Sequence, residues 1–111
     1  RHTFPAGTIL PSRGVIVVFG GGTPTGSFGG ALVQTASSGQ INLNNAGDLL
    51  TLKDAQGNTI RTFDVTPLSD NPNEAYTRSP DITGDFLQHS TIHEAAGRLF
   101  SPGTRLNGTN F

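Results

Sequence analysis

Cysteine, methionine and tryptophan are absent from this 111-residue chain, and tyrosine occurs once. Without cysteine there is no disulfide, no thiolate zinc site and no cysteine nucleophile. Charge is scarce as well. Only 14% of residues are charged and the formal net charge is -1, so there is no basic field for a phosphate backbone and no polybasic segment for anionic lipid. Nucleic acid is therefore not an expected partner. Long apolar runs are missing too: Val15-Ile16-Val17-Val18-Phe19 stands far short of the roughly 18 residues that mark a membrane-spanning helix, and no membrane insertion is expected. The opening Arg1-His2-Thr3 lacks the apolar stretch of a signal peptide, so any export signal is expected upstream of this stretch.

What the chain does have is turn chemistry. Its 15 glycines and 7 prolines are spread without a Gly-X-Y period, which excludes collagen and predicts many turns between short strands. The expected class is all-β. The length suits a single domain over residues 1–111, and the 33% hydrophobic content predicts a thin core of Val, Ile, Leu and Phe. A polar surface rich in Gly, Thr, Asn and Ser, with few lysines, fits an exported, extracellular or cell-surface module.

The clearest local signal is residues 41 to 65, INLNNAGDLLTLKDAQGNTIRTFDV, which reads as a β-hairpin. Leu50 and Leu52 alternate with Leu49, Thr51 and Lys53, the period of a strand with two different faces. Asp54-Ala55-Gln56-Gly57-Asn58 supplies the turn, with Asp bonding its own backbone and Gly57 free to take positive φ. In the return strand the apolar residues switch faces between Ile60 and Phe63, which predicts a G1-type bulge or local twist beside the turn. Elsewhere, residues 15 to 19 are β-branched or aromatic throughout and predict a strand buried in the middle of a sheet. Further strands are expected over residues 31 to 36, 75 to 78 and 86 to 89.

Several stretches invite a functional reading. GGGTPTGSFGG at residues 20 to 30 has no Lys-Ser/Thr pair to make it a phosphate loop, and it reads as a flexible connection between sheets with Phe28 pinning it to the core. Asp70, Asn71, Asn73 and Glu74 offer hard oxygen donors for calcium, but their spacing departs from a calcium loop and fits ordinary turn residues. His89 and His93 in HSTIHE would share a zinc ion only on a helix; on a strand they lie about 13 Å apart. Acid-base catalysis would have to draw on Asp70, Glu74, Asp81, Asp85 or Glu94 with His89 or His93, and nothing in the sequence brings any two of them together. Glu94-Ala95-Ala96-Gly97 reads as one helical turn, and Asn107-Gly108-Thr109 matches a glycosylation sequon that fits an ordinary terminal loop equally well. Phe28 and Tyr76 are the aromatic candidates for a binding surface.

Taken in order, these pieces resemble the lamin-tail domain in its bacterial form. Phe4-Pro5-Ala6-Gly7-Thr8, Leu10-Pro11 and the strand at residues 15 to 19 look like that family's opening turns and strand. Gly47-Asp48-Leu49-Leu50-Thr51-Leu52-Lys53-Asp54-Ala55-Gln56-Gly57-Asn58 looks like its most repeated hairpin, and Tyr76-Thr77-Arg78-Ser79-Pro80-Asp81 and Ser101-Pro102-Gly103-Thr104 like its closing strand and terminal turn. The resemblance implies an immunoglobulin-like β-sandwich of short antiparallel strands, with no catalytic residue to carry over and no cofactor. It implies a structural or protein-interaction module; a carbohydrate or surface-adhesion module and a calcium-dependent binding domain are the alternatives. The family's one or two first strands and their Gly-Trp segment have no counterpart here, so a fragment of a longer polypeptide is expected, or a sandwich short of those strands. An open edge of that kind predicts pairing with a protein partner or self-association as a homodimer.

Overall fold

The computed structural model describes residues 1–69 and 72–111, and these form a small all-β fold of short strands joined by turns and single-turn 3-10 helices. They divide into two compact units, Leu43–Asn73 and the pair of segments Arg1–Asn42 and Glu74–Phe111.

The smaller unit is the predicted hairpin. Numbered in chain order, its strands are β3 (Leu49–Lys53) and β4 (Thr59–Asp64), antiparallel, with Leu50 opposite Phe63 and Leu52 opposite Arg61. The Asp54 side chain organises the turn, its Oδ1 accepting the amides of Gln56 (2.9 Å) and Asn58 (2.8 Å). Gly57 takes φ +87°, and the Gly57 and Asp54 amides donate to the Asp54 and Asn58 carbonyls at 3.1 and 2.9 Å, a type I turn closed by a G1 bulge. The face switch has a separate cause. Leu52 faces Arg61 while Lys53 faces Thr59, so Ile60 is an extra residue in β4 and turns its side chain out of sequence. Leu50, Leu52 and Phe63 consequently share one face.

In the larger unit, β1 (Ile16–Phe19) pairs with β2 (Leu32–Thr35). The pair is parallel, from Ile16 opposite Leu32 to Phe19 opposite Thr35, where short antiparallel strands were expected. Parallel neighbours need a connection that travels back along the strand. Residues 20 to 31 make that return, ending in a 3-10 turn at Phe28–Gly30, and the Phe28 ring packs 5.0 Å from that of Phe19. Gly29 and Gly103 let two backbones touch. A Cβ at Gly103 would strike the Phe28 carbonyl, and one at Gly29 would strike the Gly103 carbonyl. The expectation that residues 15 to 19 are buried mid-sheet is not met, because β1 has one strand neighbour among the described residues and is half-exposed along its length. β-branching favours a strand; it does not supply a second neighbour.

The N-terminus lies along this pair. The Ser37 amide donates to His2 Nδ1 (3.2 Å), which leaves His2 Nε2 to donate to Gln34 Oε1 (2.8 Å), and the Arg1 guanidinium reaches the Ile41 and Asn42 carbonyls. Antiparallel β5 (Tyr76–Ser79) and β6 (Asp85–Gln88) follow, joined by a loop that begins at the cis Ser79-Pro80 bond. The Gly84 amide closes the loop onto the Pro80 carbonyl (2.8 Å), and Arg78 stacks over the Phe86 ring at 4.4 Å. Beyond β6, His89–Thr91 and His93–Ala95 are 3-10 turns that bring Ile92 and Ala95 against Leu106. Those three, with Ala36 elsewhere in the unit, are the apolar side chains buried among the described residues. The core is small.

Gly103→Ala is expected to lower unfolding free energy by about 2–4 kcal/mol, adding the left-handed penalty at φ +77° to a backbone collision. Gly57→Ala has open space around it and should lose only about 1–2 kcal/mol. Urea titration of both variants checks the ordering.

Candidate functional site

The sequence candidates separate once placed. Asp70 and Asn71 lie outside the described residues, Asn73 is exposed, and Glu74 is half-buried. Glu74 is already engaged: its Oε2 accepts the Ser90 amide at 2.7 Å. That amide first, and then the Ser90 hydroxyl, hold the Glu74 carboxyl below its ordinary range, with partial desolvation opposing them and nearby His89 adding a small lowering. The carboxylate thus ties the entry of β5 to the 3-10 turn after β6. Alongside it the His89 amide donates to the Ala75 carbonyl, and the Ala75 amide to that of Leu99.

His89 and His93 part company. His89 is fully buried with no hydrogen-bond partner on either ring nitrogen among the described residues, whereas His93 and Glu94 are exposed on the next 3-10 turn. The expected strand over residues 86 to 89 ends at Gln88, and the turn that follows carries His89 inward. Among the described residues no group of three or more His, Asp or Glu is placed to hold a metal ion.

Asp81 and Glu94 do approach a common space. They line an open cleft of about 290 Å³ with Ser79, Pro80, Leu106 and Asn107. Asp81 Oδ2 is 3.9 Å from Arg105 Nη1, a partly exposed pair of small energetic weight. The Asn107 carboxamide is also occupied, its Oδ1 accepting the Thr109 amide and hydroxyl at 3.0 and 2.7 Å. This cleft was not anticipated, because Asp81 and Glu94 reach it from different turns. Asp85 stands at the start of β6 and does not line it. Of the aromatic candidates, Phe28 is half-buried against Phe19, which fits the pinning role, and Tyr76 is half-buried in β5.

The described strands form three two-stranded sheets, so each strand has one bonded edge and one outward edge. In the hairpin the Val65 amide donates to the Asp48 carbonyl (2.9 Å), which sets the phase of the antiparallel ladder. Peptide groups of Leu50 and Leu52 accordingly face β4, and those of Leu49, Thr51 and Lys53 face outward. Every β3 side chain is exposed. No protein-family model, curated protein or solved structure matches this chain.

Two outcomes are expected. His89→Ala should destabilise by about 2–4 kcal/mol through an unfilled cavity, while His89→Leu should be neutral or stabilising because it removes unpaired buried polar atoms. Asp54 and Asp64 are held low too, Asp54 by the Asn58 side chain first and Asp64 by the Thr66 hydroxyl first. With Glu74, these carboxylates release protons more readily folded than unfolded. Their contribution is complete above the ordinary carboxylate range and is lost as pH falls through the lowered folded values. Urea midpoints should drop on acidification across that range, and less so in Glu74→Gln.

Proposed function

We propose that this chain is a non-catalytic interaction module that binds by strand addition, accepting extended segments on the outward edges of its two-stranded sheets. One observation carries the reading: every described strand presents a row of peptide groups with no third strand beside it. Pairing there supplies directional hydrogen bonds for affinity, and side chains at alternate positions supply selectivity. Exposed apolar residues on the same elements, Leu32 on β2 and Leu49, Leu50 and Leu52 on β3, give an incoming strand something to cover.

The finer architecture belongs to the same proposal. Strands added to these short sheets would build the larger facing layers of an immunoglobulin-like sandwich, the fold implied by the resemblance to lamin-tail domains. The hairpin carries the stretch most like that family, residues 47 to 58, and its exposed β3 offers one of the edges on which such a layer could grow. The polar, lysine-poor composition supports placement on an exported bacterial protein.

Proline at outward-facing amides tests the mechanism, because it removes an edge donor and leaves the internal ladder intact. The parallel ladder, with the Leu32 amide on the Val15 carbonyl and the Ala36 amide on that of Phe19, points the Thr35 amide outward, and Thr62 faces outward on β4. Partners captured by the wild-type chain from the cells that produce it should bind Thr35→Pro or Thr62→Pro about 10-fold more weakly or worse, from the loss of one or two hydrogen bonds. His93→Ala and Glu94→Ala should bind normally. Undiminished capture by both proline variants, or loss in His93→Ala, counts against strand addition.

A further inference from the structure

We infer that the outward edge of β3 is a self-complementary surface whose occupant is β3 of a second copy of this chain. This rests on the strand-addition reading and names the partner for one edge. An antiparallel neighbour must meet the outward peptide groups of Leu49, Thr51 and Lys53 in phase. A second β3 does so in the register that overlaps all five residues, Leu49–Lys53. Thr51 then opposes Thr51 of the second copy across the two-fold axis, each Leu49 opposes a Lys53, and each Leu50 opposes a Leu52.

Both faces of the resulting four-stranded sheet are compatible. On one, Phe63, Leu50, Leu52 of the second copy and its Arg61 form a row, repeated by symmetry, so four leucines meet at the centre. Leu50 and Leu52 are 38% and 45% exposed in the single chain, so they have surface to cover there. On the other face, four threonines from residues 62 and 51 of each copy form a cross-strand ladder. Flanking it, Lys53 of each copy lies beside Leu49 of the other, whose hairpin partner is Asp64. Opposite charges therefore share a row, and the two lysines sit at opposite ends of the interface. Sliding the register by two residues toward Lys53 draws the lysines together and abandons paired residues; full overlap is the charge-complementary choice.

Two features keep the contact weak. The Leu49 amide already donates to Asp48 Oδ1 at 2.9 Å and must be drawn away. A five-residue edge also falls below the roughly 1,000 Å² of a stable interface, which predicts association only from the upper micromolar range.

The absence of cysteine makes the test position-specific. A Thr51→Cys variant should cross-link to a dimer under mild oxidation, since opposed residues in a hydrogen-bonded pair lie about 5.5 Å apart at Cα, within disulfide reach. Lys53→Cys, about 13 Å from its copy in this register, should cross-link at least tenfold more slowly. In parallel, the weight-average mass of the wild-type chain by sedimentation should rise from 11.6 kDa toward twice that value with concentration. Thr51→Lys and Thr51→Glu should each stay monomeric, and an equimolar mixture should recover the dimer. A monomer up to millimolar concentration, or equal cross-linking at both positions, overturns the second copy as occupant. Strand addition itself fails separately, through the proline variants and captured partners.

Discussion

Peptide groups that find a bonding partner on one side of a strand only are the constraint on which this molecule depends. A two-stranded sheet satisfies about half of each strand's main-chain donors and acceptors through its ladder and leaves the rest to other partners, as the Leu49 amide finds in the Asp48 side chain. The strands are short, and those of the hairpin are exposed at nearly every residue. Pairing in twos also limits how much apolar surface each sheet can hide, since a ribbon of two strands has no interior position.

The modest core follows from this. Ile92, Ala95 and Leu106 are brought together by turns rather than by facing sheets, and a fully buried imidazole shares the same unit. With little area removed from water, local devices gain importance: the Asp54 side chain in its turn, Glu74 on the Ser90 amide, and glycines that allow backbone contact at residues 29 and 103. Each is worth little alone, yet a marginally stable domain is a sum of such terms. An isolated β-ribbon is at the edge of stability in water, so anything that adds a strand also adds order.

The parts of this fold legible from sequence are those decided by neighbours in the chain. Asp54, Gly57 and Asn58 announce the hairpin turn because their side chains or their freedom at positive φ act within four residues, and the pattern of Ile60 and Phe63 exposes the extra residue in β4. Strand direction in β1 and β2 was not legible, because a run of valines is equally suited to either orientation and only the path of residues 20 to 31 decides between them. The same limit hid the burial of His89, which no pattern of its sequence neighbours announces, and the cleft that gathers Asp81, Glu94 and Asn107. Turn grammar is local; enclosure is not.

The parallel pairing of β1 with β2 has a consequence in time. The β3–β4 hairpin closes across a five-residue turn, an event of microseconds set by contacts near in sequence. The β1–β2 ladder must first close a glycine-rich loop of about a dozen residues, losing its considerable freedom before the first rung repays any of it. A full-length chain refolding from the denatured state is therefore expected to form its local hairpin before the valine-rich segment is paired. During that interval the most aggregation-prone run in the chain stays unpaired, and it is covered only once the loop has closed and Phe28 has come to rest on Phe19.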